Sequence, residues 1–409
     1  MKFLLLQGPL GPFFKQLASV LIDMGHEVHR IHFNAGDRFY SGVGQCTDYT
    51  DSIENWPQYL AQFIKKHQID TLILYGDCRK HHSEAVLLAK NLGKQCKVLE
   101  EGYLRPDWIT CEDFGVNAAS TVLTKHDFLN ENRVLNHQER IDLTGDTFAR
   151  RFLFASLYFH AMWWQRHQFP HYQQHHINAS PWYQGACWIR SYFRKLAYKK
   201  QDSKILNTVI NQFDQRYFLL PLQVATDSQI KCHSNFGSIA QLIELTIDNF
   251  ALHAPKNNAL VIKHHPIDRG HTQYSDLIEK KAISLGVKDR VFYGHELHLP
   301  TLLKHTKGIV TLNSTVGISG LIHTLPVKVL GKAFWDHPKL TSDQTLDNFW
   351  QNPKKPEAKD IEKFLATIRH ETQIKGSFYK HTEITLFALA QKLIAEEVNP
   401  NYVLDIRAA

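Results

Sequence analysis

The sequence predicts an α/β protein of two Rossmann-like domains that face each other across a cleft, with a helical, aromatic-rich insertion between them. The chain has 409 residues, which is more than one compact core usually accommodates. Short apolar runs typical of buried strands alternate with amphipathic helical patterns in the first 120 residues, and the same alternation returns after residue 216. Such alternation indicates βαβ units and a parallel sheet in each half.

The first half opens on the apolar run of residues 2–7, which predicts a buried strand. Apolar residues then recur at helical spacing over residues 13–24, and Gly25 ends this helix. The same reasoning predicts strands at 27–33, 71–75 and 97–100, and helices at 56–67 and 83–92. Ligands are therefore expected outside the carboxyl ends of these strands.

The second half repeats this pattern. Strands are predicted at 217–224, 260–264, 290–293, 308–312 and 327–330, and helices at 239–252, 276–285, 299–305 and 316–323. A long amphipathic helix at 383–396 could pack on either half. The predicted domains are therefore 1–128 and 216–350, with the helical insertion at 129–215 and C-terminal helices at 351–409.

The segment 129–200 is rich in aromatic and basic residues. It holds Trp163, Trp164, Trp182 and Trp188, and its basic cluster comprises Arg190, Arg194, Lys195, Lys199 and Lys200. Aromatic and cationic side chains on amphipathic helices are typical of contact with a membrane surface. Aromatic residues that simply pack against the two domains are an equally good interpretation.

Composition and charge exclude several classes of protein. Lys+Arg of 47 against Asp+Glu of 40 gives a net charge of +7 without Lys/Arg runs, which argues against a dedicated nucleic-acid binder. The six cysteines form no CxxC pair and indicate reduced thiols. The apolar start is too short for a signal peptide, and no stretch approaches the roughly 20 apolar residues of a membrane span. A cytoplasmic protein is expected.

The strongest polar motif is residues 263–271, KHHPIDRGH, at the end of a predicted strand. Its histidines and cations suit a phosphate or a sugar carboxylate, and a solvated basic turn is the alternative. Residues 313–320, NSTVGISG, follow another strand, and Ser314 or Thr315 is a natural helix N-cap. That helix N-terminus could also hold a phosphate. Residues 7–12, QGPLGP, form a weaker anion-binding candidate.

Candidate catalytic carboxylates follow strands in both halves. Glu100 and Glu101 end the strand before Gly102, and Asp227 follows the first strand of the second half. Two carboxyl groups meeting in one cleft could supply a nucleophile and a general acid/base, although each alone is more often a surface carboxylate. No metal-chelating DxD motif occurs in the chain. Neither a metal nor a cofactor is expected.

These motifs together resemble the KpsS-like capsule polysaccharide proteins of the KpsS/KpsC family, which are bacterial retaining β-Kdo transferases. The resemblance extends from about residue 2 to about residue 350. It is carried by QGPLGPFF, FNAGDRFY, YGDCR, EEGYLRPDWIT, TDSQI, VIKHHPIDRGH and NSTVGISGLIH.

The resemblance implies a GT-B glycosyltransferase that moves Kdo from CMP-Kdo to phosphatidylglycerol or its lyso form, which starts the poly-Kdo linker of a capsule. It implies double displacement, with Asp227 as nucleophile and Glu101, preferred to Glu100, as acid/base. The 1–128 domain is then the acceptor side and the 216–350 domain the donor side. The residues expected to bind the donor are Gly8, Pro9, Lys263, His264, His265, Pro266, Arg269, His271, Asn313, Ser314 and Thr315.

The partners expected from this resemblance are CMP-Kdo, a phosphatidylglycerol-type lipid, the cytoplasmic face of the inner membrane and other capsule assembly proteins such as a KpsC-like transferase. The residues expected on the acceptor or membrane side are Arg105, Trp163, Trp164, Arg166, Arg190, Arg194 and Lys195. Two alternatives stay open. One is a non-catalytic assembly or export component that binds capsule glycolipid, and the other is a transferase that extends an existing Kdo chain.

Overall fold

The computed structural model describes residues 1–130, 145, 147–172, 180–225 and 236–398. These residues divide into two compact units. The first unit takes its residues from Met1–Val116, His137–His175 and Arg369–Ala409, and the second from Asn117–Asn136 and His176–Ile368. Both units are therefore built from more than one stretch of the chain, and the sequence-based domain bounds stay a prediction.

Twelve strands are present in the described residues. In chain order, β1 to β12 are Lys2–Leu5, Glu27–His32, Gln45–Asp48, Thr71–Tyr75, Gln95–Glu101, Trp108–Asp113, Tyr217–Pro221, Ala259–Lys263, Val291–Gly294, Gly308–Thr311, Val327–Val329 and Gln373–Lys375.

Fourteen α-helices accompany these strands in the described part of the chain. In order, α1 to α14 are Phe13–Asp23, Ala35–Phe39, Trp56–His67, Lys80–Asn91, Val122–Lys125, Phe148–Trp164, Pro181–Phe213, Ile239–His253, Ser275–Ser284, Leu299–His305, Val316–Ile322, Leu346–Gln351, Ala358–Thr372 and Thr382–Val398. Short 3₁₀ turns occur as well, and the one at Pro266–Gly270 is important for the site.

The first unit contains a seven-stranded sheet in the order β12-β6-β5-β4-β1-β2-β3. Strands β1 to β5 are parallel, in the 3-2-1-4-5 order of a Rossmann-like half. The expectation of a purely parallel sheet is wrong at one edge, where β6 runs antiparallel to β5 and β12 antiparallel to β6. The physical reason is the short connection 102–107, since a parallel pairing needs a longer crossover.

Helices cover both faces of this sheet. Phe13 and Leu17 of α1 pack with Leu389 of α14 in one buried cluster, and Trp56 and Leu60 of α3 lie in another. The predicted C-terminal helix therefore packs on the first half, against α1.

The second unit contains a five-stranded, fully parallel sheet in the order β11-β10-β7-β8-β9. Its strand order is again that of a Rossmann-like half, so the predicted pair of Rossmann-like domains is confirmed. The strand order switches between β7 and β10, because β8 and β9 lie on one side of β7 while β10 and β11 lie on the other. The carboxyl ends of β7 and β10 are therefore the expected binding edge. Phe218, Ile243 and Trp350 are among the buried residues that fix this sheet.

The aromatic segment between the two halves is helical, as predicted, and gives one helix to each unit. In the first unit α6 packs on α2, where a Cβ at Gly36 would lie 2.7 Å from the Tyr158 ring. In the second unit α7 packs on the 3₁₀ turn Pro266–Gly270 and on β9. In the described ranges, no helix is long and apolar enough to cross a membrane.

Candidate functional site

The carboxyl end of β8 carries a buried histidine in the second unit. His264 is 1% exposed, and its Nδ1 lies 2.8 Å from the hydroxyl of Tyr293 on β9. Its Nε2 is buried and has no hydrogen-bond partner among the described residues. Burial lowers the pKa of His264 to about 4, so the ring is neutral at pH 7. A neutral ring with an unused nitrogen is suited to hydrogen bonding with a ligand.

A second histidine, His295, follows β9 and was not predicted from the sequence. It is 4% exposed, its ring centroid lies 4.4 Å from that of His264, and it stacks on Tyr198 of α7. Its Nδ1 is also buried without a hydrogen-bond partner in the described ranges. Burial lowers the pKa of His295 to about 3. Its position directly after a strand was the one indication in the sequence that His295 could belong to a site, but no motif surrounds this residue.

The cations of the 263–271 motif are partly engaged within the unit. Arg269 Nη1 lies 2.5 Å from Glu296 Oε1, so this guanidinium is held in place by a carboxylate. Lys263 Nζ donates to the carbonyl of His264 at 3.4 Å, and burial lowers the pKa of Lys263. Asp268, which is buried, accepts from the Thr272 hydroxyl at 2.5 Å and from the Ala225 N–H at 3.3 Å. The motif is thus a fixed turn, tied to the carboxyl end of β7.

The two other histidines of the motif differ from His264. His265 accepts from the Ile267 N–H at 3.3 Å and thereby caps the 3₁₀ turn that Pro266 begins. The ring of His271 lies 6.1 Å from that of Tyr183, and burial lowers the pKa of His271.

Asn313 and Ser314 lie where the strand order reverses. The amide of Gln223, just after β7, donates to Asn313 Oδ1 at 2.8 Å, and Asn313 Nδ2 donates to the carbonyl of Lys332 at 3.2 Å. Ser314 Oγ accepts from the Val316 N–H at 3.2 Å, whereas Thr315 caps α11 without a side-chain bond. Of the two predicted caps, Ser314 therefore makes the bond.

The predicted nucleophile, Asp227, lies outside the described residues, which end at Ala225 and resume at Phe236. The donor-side residues Lys263, His264 and Asn313 all follow carboxyl ends of the second sheet. The structure thus brings the donor-side motifs of the second half to one edge of the second unit.

In the first unit, Glu100 and Glu101 end β5. Glu100 Oε1 accepts from the Glu101 N–H at 3.0 Å, and burial raises the pKa of Glu100 to about 7. Glu101 Oε1 lies 3.5 Å from Arg151 Nη2. The two neighbouring carboxylates are therefore chemically distinct, one close to half-ionised at neutral pH and one paired with a cation.

Two neighbours of these carboxylates come from distant parts of the chain. Arg151 belongs to α6, and its guanidinium lies over the ring of Tyr379 at 4.8 Å. Tyr379 lies between β12 and α14. Sequence reasoning missed both residues, because neither belongs to a motif and only the fold brings them to β5.

Gly8 and Pro9, predicted to bind the donor, lie in the first unit after β1. A Cβ at Gly8 would lie 2.7 Å from the Phe14 ring, so packing accounts for this glycine. Beside it, the Gln7 amide donates to Asp37 at 3.1 Å and to the Tyr158 hydroxyl at 2.9 Å, and Arg79 donates to Gln7 at 2.7 Å. This buried network explains why FNAGD and QGP occur together, since both hold α6.

The predicted acceptor and membrane residues have different environments. Arg105 is exposed and donates to the Gly102 carbonyl at 3.3 Å. Arg166 lies over the half-buried Trp163 ring at 4.5 Å, while Trp164 is 81% exposed. Lys195 is exposed. Their proposed lipid contacts stay a prediction.

Arg190 and Arg194 make contacts that the sequence did not indicate. Arg190 Nε donates to the Gly270 carbonyl at 2.6 Å. Arg194 Nη1 donates to the carbonyls of Arg269 at 2.7 Å and Thr272 at 3.2 Å. Both arginines therefore fix the end of the donor-side turn to α7.

No group of three or more His, Cys, Asp or Glu side chains that could hold a metal ion is found in the part of the chain that the structure describes.

Together these observations define a protein of two Rossmann-like units whose strand ends gather histidine, carboxylate and amide side chains. The sequence profile of the capsule polysaccharide biosynthesis protein family matches residues 70–379. The chain belongs to this family, which confirms the resemblance seen in its motifs.

Two sequence relatives agree with this assignment. The chain is 41% identical over 378 residues to the capsule polysaccharide export protein KpsS of Escherichia coli, covering 92% of this chain and 97% of the relative. It is 35% identical over 382 residues to the capsule polysaccharide modification protein LipB of Neisseria meningitidis serogroup A, covering 92% and 91%. A glycosyltransferase structure from Rickettsia africae aligns over 98% of this chain and 99% of its own, with 11% identity and a TM-score of 0.39.

Proposed function

We propose that the protein is a retaining β-Kdo transferase that moves Kdo from CMP-Kdo to phosphatidylglycerol or its lyso form. The product would start the poly-Kdo linker of a bacterial capsular polysaccharide. Membership of the capsule family supports the context of the reaction. The observation that carries the proposal is the set of donor-side groups at one edge of the second sheet, where two buried histidine nitrogens have no hydrogen-bond partner among the described residues.

The donor phosphate would be held by cations and hydrogen-bond donors. Lys263 and Arg269 are cations at this edge, and His264 is the neutral ring beside them. Such groups, fixed before the reaction begins, stabilise the charge that develops on the departing CMP. Asn313 and Ser314, at the point where the strand order reverses, are suited to contact the same nucleotide.

The chemistry proposed has two displacements. The Asp227 carboxylate attacks the anomeric carbon of Kdo, and the bond to the CMP phosphate breaks so that CMP leaves with the electron pair. A hydroxyl of the acceptor then attacks the same carbon and gives its proton to a glutamate, and the bond to Asp227 breaks. Two inversions give net retention. The role of Asp227 rests on the resemblance alone.

The structure favours Glu100 over Glu101 as the proton acceptor, on a physical argument. A general base is most effective when its pKa lies near the working pH, and burial raises the pKa of Glu100 to about 7. Glu101 is instead paired with Arg151. Besides burial, the nearby charge of Glu101 also raises the pKa of Glu100.

The direct test is incubation of the purified protein with CMP-Kdo and lysophosphatidylglycerol, followed by mass spectrometry of the lipid. A product heavier by one Kdo residue is expected. A parallel reaction offers a lipid that already carries Kdo, and preferential use of that acceptor would favour chain extension. No product from either acceptor, with a folded protein, would contradict the proposal.

A second candidate function follows from the name of the Escherichia coli relative, an export protein. A non-catalytic component would bind capsule glycolipid without turnover. Such a protein would show glycolipid binding but neither CMP-Kdo binding nor CMP release. Calorimetry with CMP and a CMP-release assay separate the two candidates.

A further inference from the structure

Helix α7, Pro181–Phe213, presents two different faces. One face is fixed to the second unit by Arg190 and Arg194 on the donor-side turn, by Tyr198 stacked on His295, and by Asp202. The Asp202 carboxylate accepts from the backbone N–H groups of His295 at 3.2 Å and Glu296 at 2.7 Å. These contacts hold α7 rigidly against the candidate donor site.

The opposite face carries large apolar side chains in solvent. Trp182 is 81% exposed, Ile189 62%, Phe193 65% and Leu196 54%. Their spacings of seven, four and three residues place all four on one side of an α-helix. We call Trp182, Ile189, Phe193 and Leu196 the α7 stripe. Four large apolar groups aligned in this way are unusual for a surface that meets only water.

The charge around the α7 stripe has one sign. Residues 181–200 contain five Lys or Arg residues and no Asp or Glu. The arginines contact the unit, whereas Lys195, Lys199 and Lys200 are exposed. An apolar stripe accompanied only by exposed cations complements the surface of an anionic phospholipid layer, which has negatively charged headgroups above an apolar interior.

We propose that the α7 stripe docks the protein onto an anionic phospholipid surface, with α7 lying in the plane of that surface. This inference deepens the proposed function, because a lipid acceptor would be reached from there. It differs from the sequence-based expectation, which used Arg190 and Arg194 as lipid contacts. Those two side chains donate to backbone carbonyls of the 3₁₀ turn and its end instead.

A second copy of this chain fits the α7 stripe less well. In a two-fold symmetric contact the same patch lies on both sides, so the exposed lysines of one copy would meet those of the other. Like charges facing each other oppose association unless an anion lies between them. The charge pattern therefore favours lipid, and dimerisation becomes an outcome of the test.

Vesicle flotation with the full chain tests the surface. Wild type is expected to float with phosphatidylglycerol-containing vesicles, less so at high salt, and weakly with purely zwitterionic ones. The variant Ile189→Ser/Phe193→Ser/Leu196→Ser should lose at least about tenfold in partitioning, because three exposed apolar groups no longer enter the lipid. A matched control is Leu252→Ser/Ile283→Ser, which removes exposed apolar groups from α8 and α9 of the same unit. The control should float like wild type.

A tryptophan pair gives an independent measurement. Trp182 and Trp164 are equally exposed, at 81%, but they lie on α7 and α6 respectively. Brominated phosphatidylglycerol quenches tryptophan fluorescence on contact. Trp182→Phe should remove most of the vesicle-dependent quenching, and Trp164→Phe should leave it. Quenching that survives Trp182→Phe would overturn the proposal.

The remaining outcomes are also decisive. The proposal would be overturned if the serine variant floated as well as wild type. It would also be overturned if neither protein bound vesicles and wild type were a dimer while the variant was a monomer. Circular dichroism and thermal melts establish that the variants are folded. Flotation requires no CMP-Kdo, so docking through α7 without Kdo transfer would contradict only the proposed function. Transfer of Kdo to a soluble acceptor without docking would contradict only the docking surface.

Discussion

At the scale of single residues, the neighbouring carboxylates at the end of β5 differ because their surroundings differ. The Glu101 carboxylate has the Arg151 guanidinium at 3.5 Å, whereas burial raises the pKa of Glu100 to about 7. Sequence reasoning placed both residues at a strand end, and only the family resemblance led to a preference, which was for Glu101 as the acid/base. The distinguishing partner comes from α6, a distant segment of the chain.

Glu100→Gln should lower kcat/KM by about 10²–10⁴-fold, because a glutamine cannot take the proton of the acceptor hydroxyl. In wild type, kcat/KM should rise with pH up to about 7 and then level off, since only the ionised Glu100 acts as a base. Glu101→Gln is the matched control and should keep a rise of kcat/KM with pH, shifted to lower pH because a charge that raises the pKa of Glu100 is removed. A profile lost in Glu101→Gln but kept in Glu100→Gln would return the role to Glu101.

The same residue affects stability with a definite sign. The pKa of Glu100 is raised in the folded protein from its ordinary value of 4.5 to about 7, so the folded state binds the extra proton between these values. Stability should therefore fall as pH rises from about 4.5 to about 7. Glu100→Gln should be more stable than wild type above pH 7 by up to about 3 kcal/mol and nearly equal near pH 4. Urea unfolding at both pH values measures the difference.

Asp227→Ala should abolish Kdo transfer, with a loss of at least about 10³-fold in kcat, because the covalent intermediate cannot form. CMP affinity should change little, since the phosphate contacts come from other residues. Asp289→Ala, an exposed carboxylate of the same unit, is the control. Turnover near the wild-type rate in Asp227→Ala would show that another residue is the nucleophile.

At the scale of elements, the predictable parts were those with local signals. Continuous apolar runs predicted β4 and the second-unit strands, and helical periodicity predicted α3 and α10 with the observed bounds. The missed strands β3, β6 and β12 lack such signals. β3 is the mostly exposed edge sequence QCTD, and β12 is fixed by distant partners. There, Gln373 Oε1 accepts from the Tyr103 N–H at 2.9 Å.

The contact between α7 and the donor-side turn gives an element-scale prediction. Arg194→Gln removes charged donors from the Arg269 and Thr272 carbonyls, which should loosen the turn. CMP affinity should fall by about three- to thirtyfold, as expected for the loss of one or two hydrogen bonds from a charged group. Lys195→Gln, its exposed neighbour, should bind CMP normally. Equal affinities by calorimetry would show that the turn does not depend on α7.

At the scale of the whole molecule, the sequence contained the architecture but only part of the site. Two series of alternating strands and helices predicted two Rossmann-like units, and strand ends predicted where Lys263, His264 and Asn313 lie. Arg151 and Tyr379 could not be predicted, because packing between sequence-distant segments brings them to the end of β5. His295 directly follows β9 and was missed because no motif surrounds it.

On the proposed function, the protein should transfer Kdo without a divalent cation. Protein groups such as Lys263 and Arg269 would offset the phosphate charge, and the chain has no DxD motif. Chelation with EDTA should change the initial rate by less than about twofold. A steep loss of activity that Mg²⁺ restores would contradict this scheme.

The position of β12 and α14 has a consequence for the order in which the protein is made. The first unit needs residues from both ends of the chain, since β12 pairs with β6 and α14 packs on α1. A ribosome makes β1 first, yet it must finish α14 before that unit can close. Until then Phe13 and Leu17 lack their cover. The half of the protein that is synthesised first therefore completes its folding last, and during that interval it is the part that chaperones would have to protect.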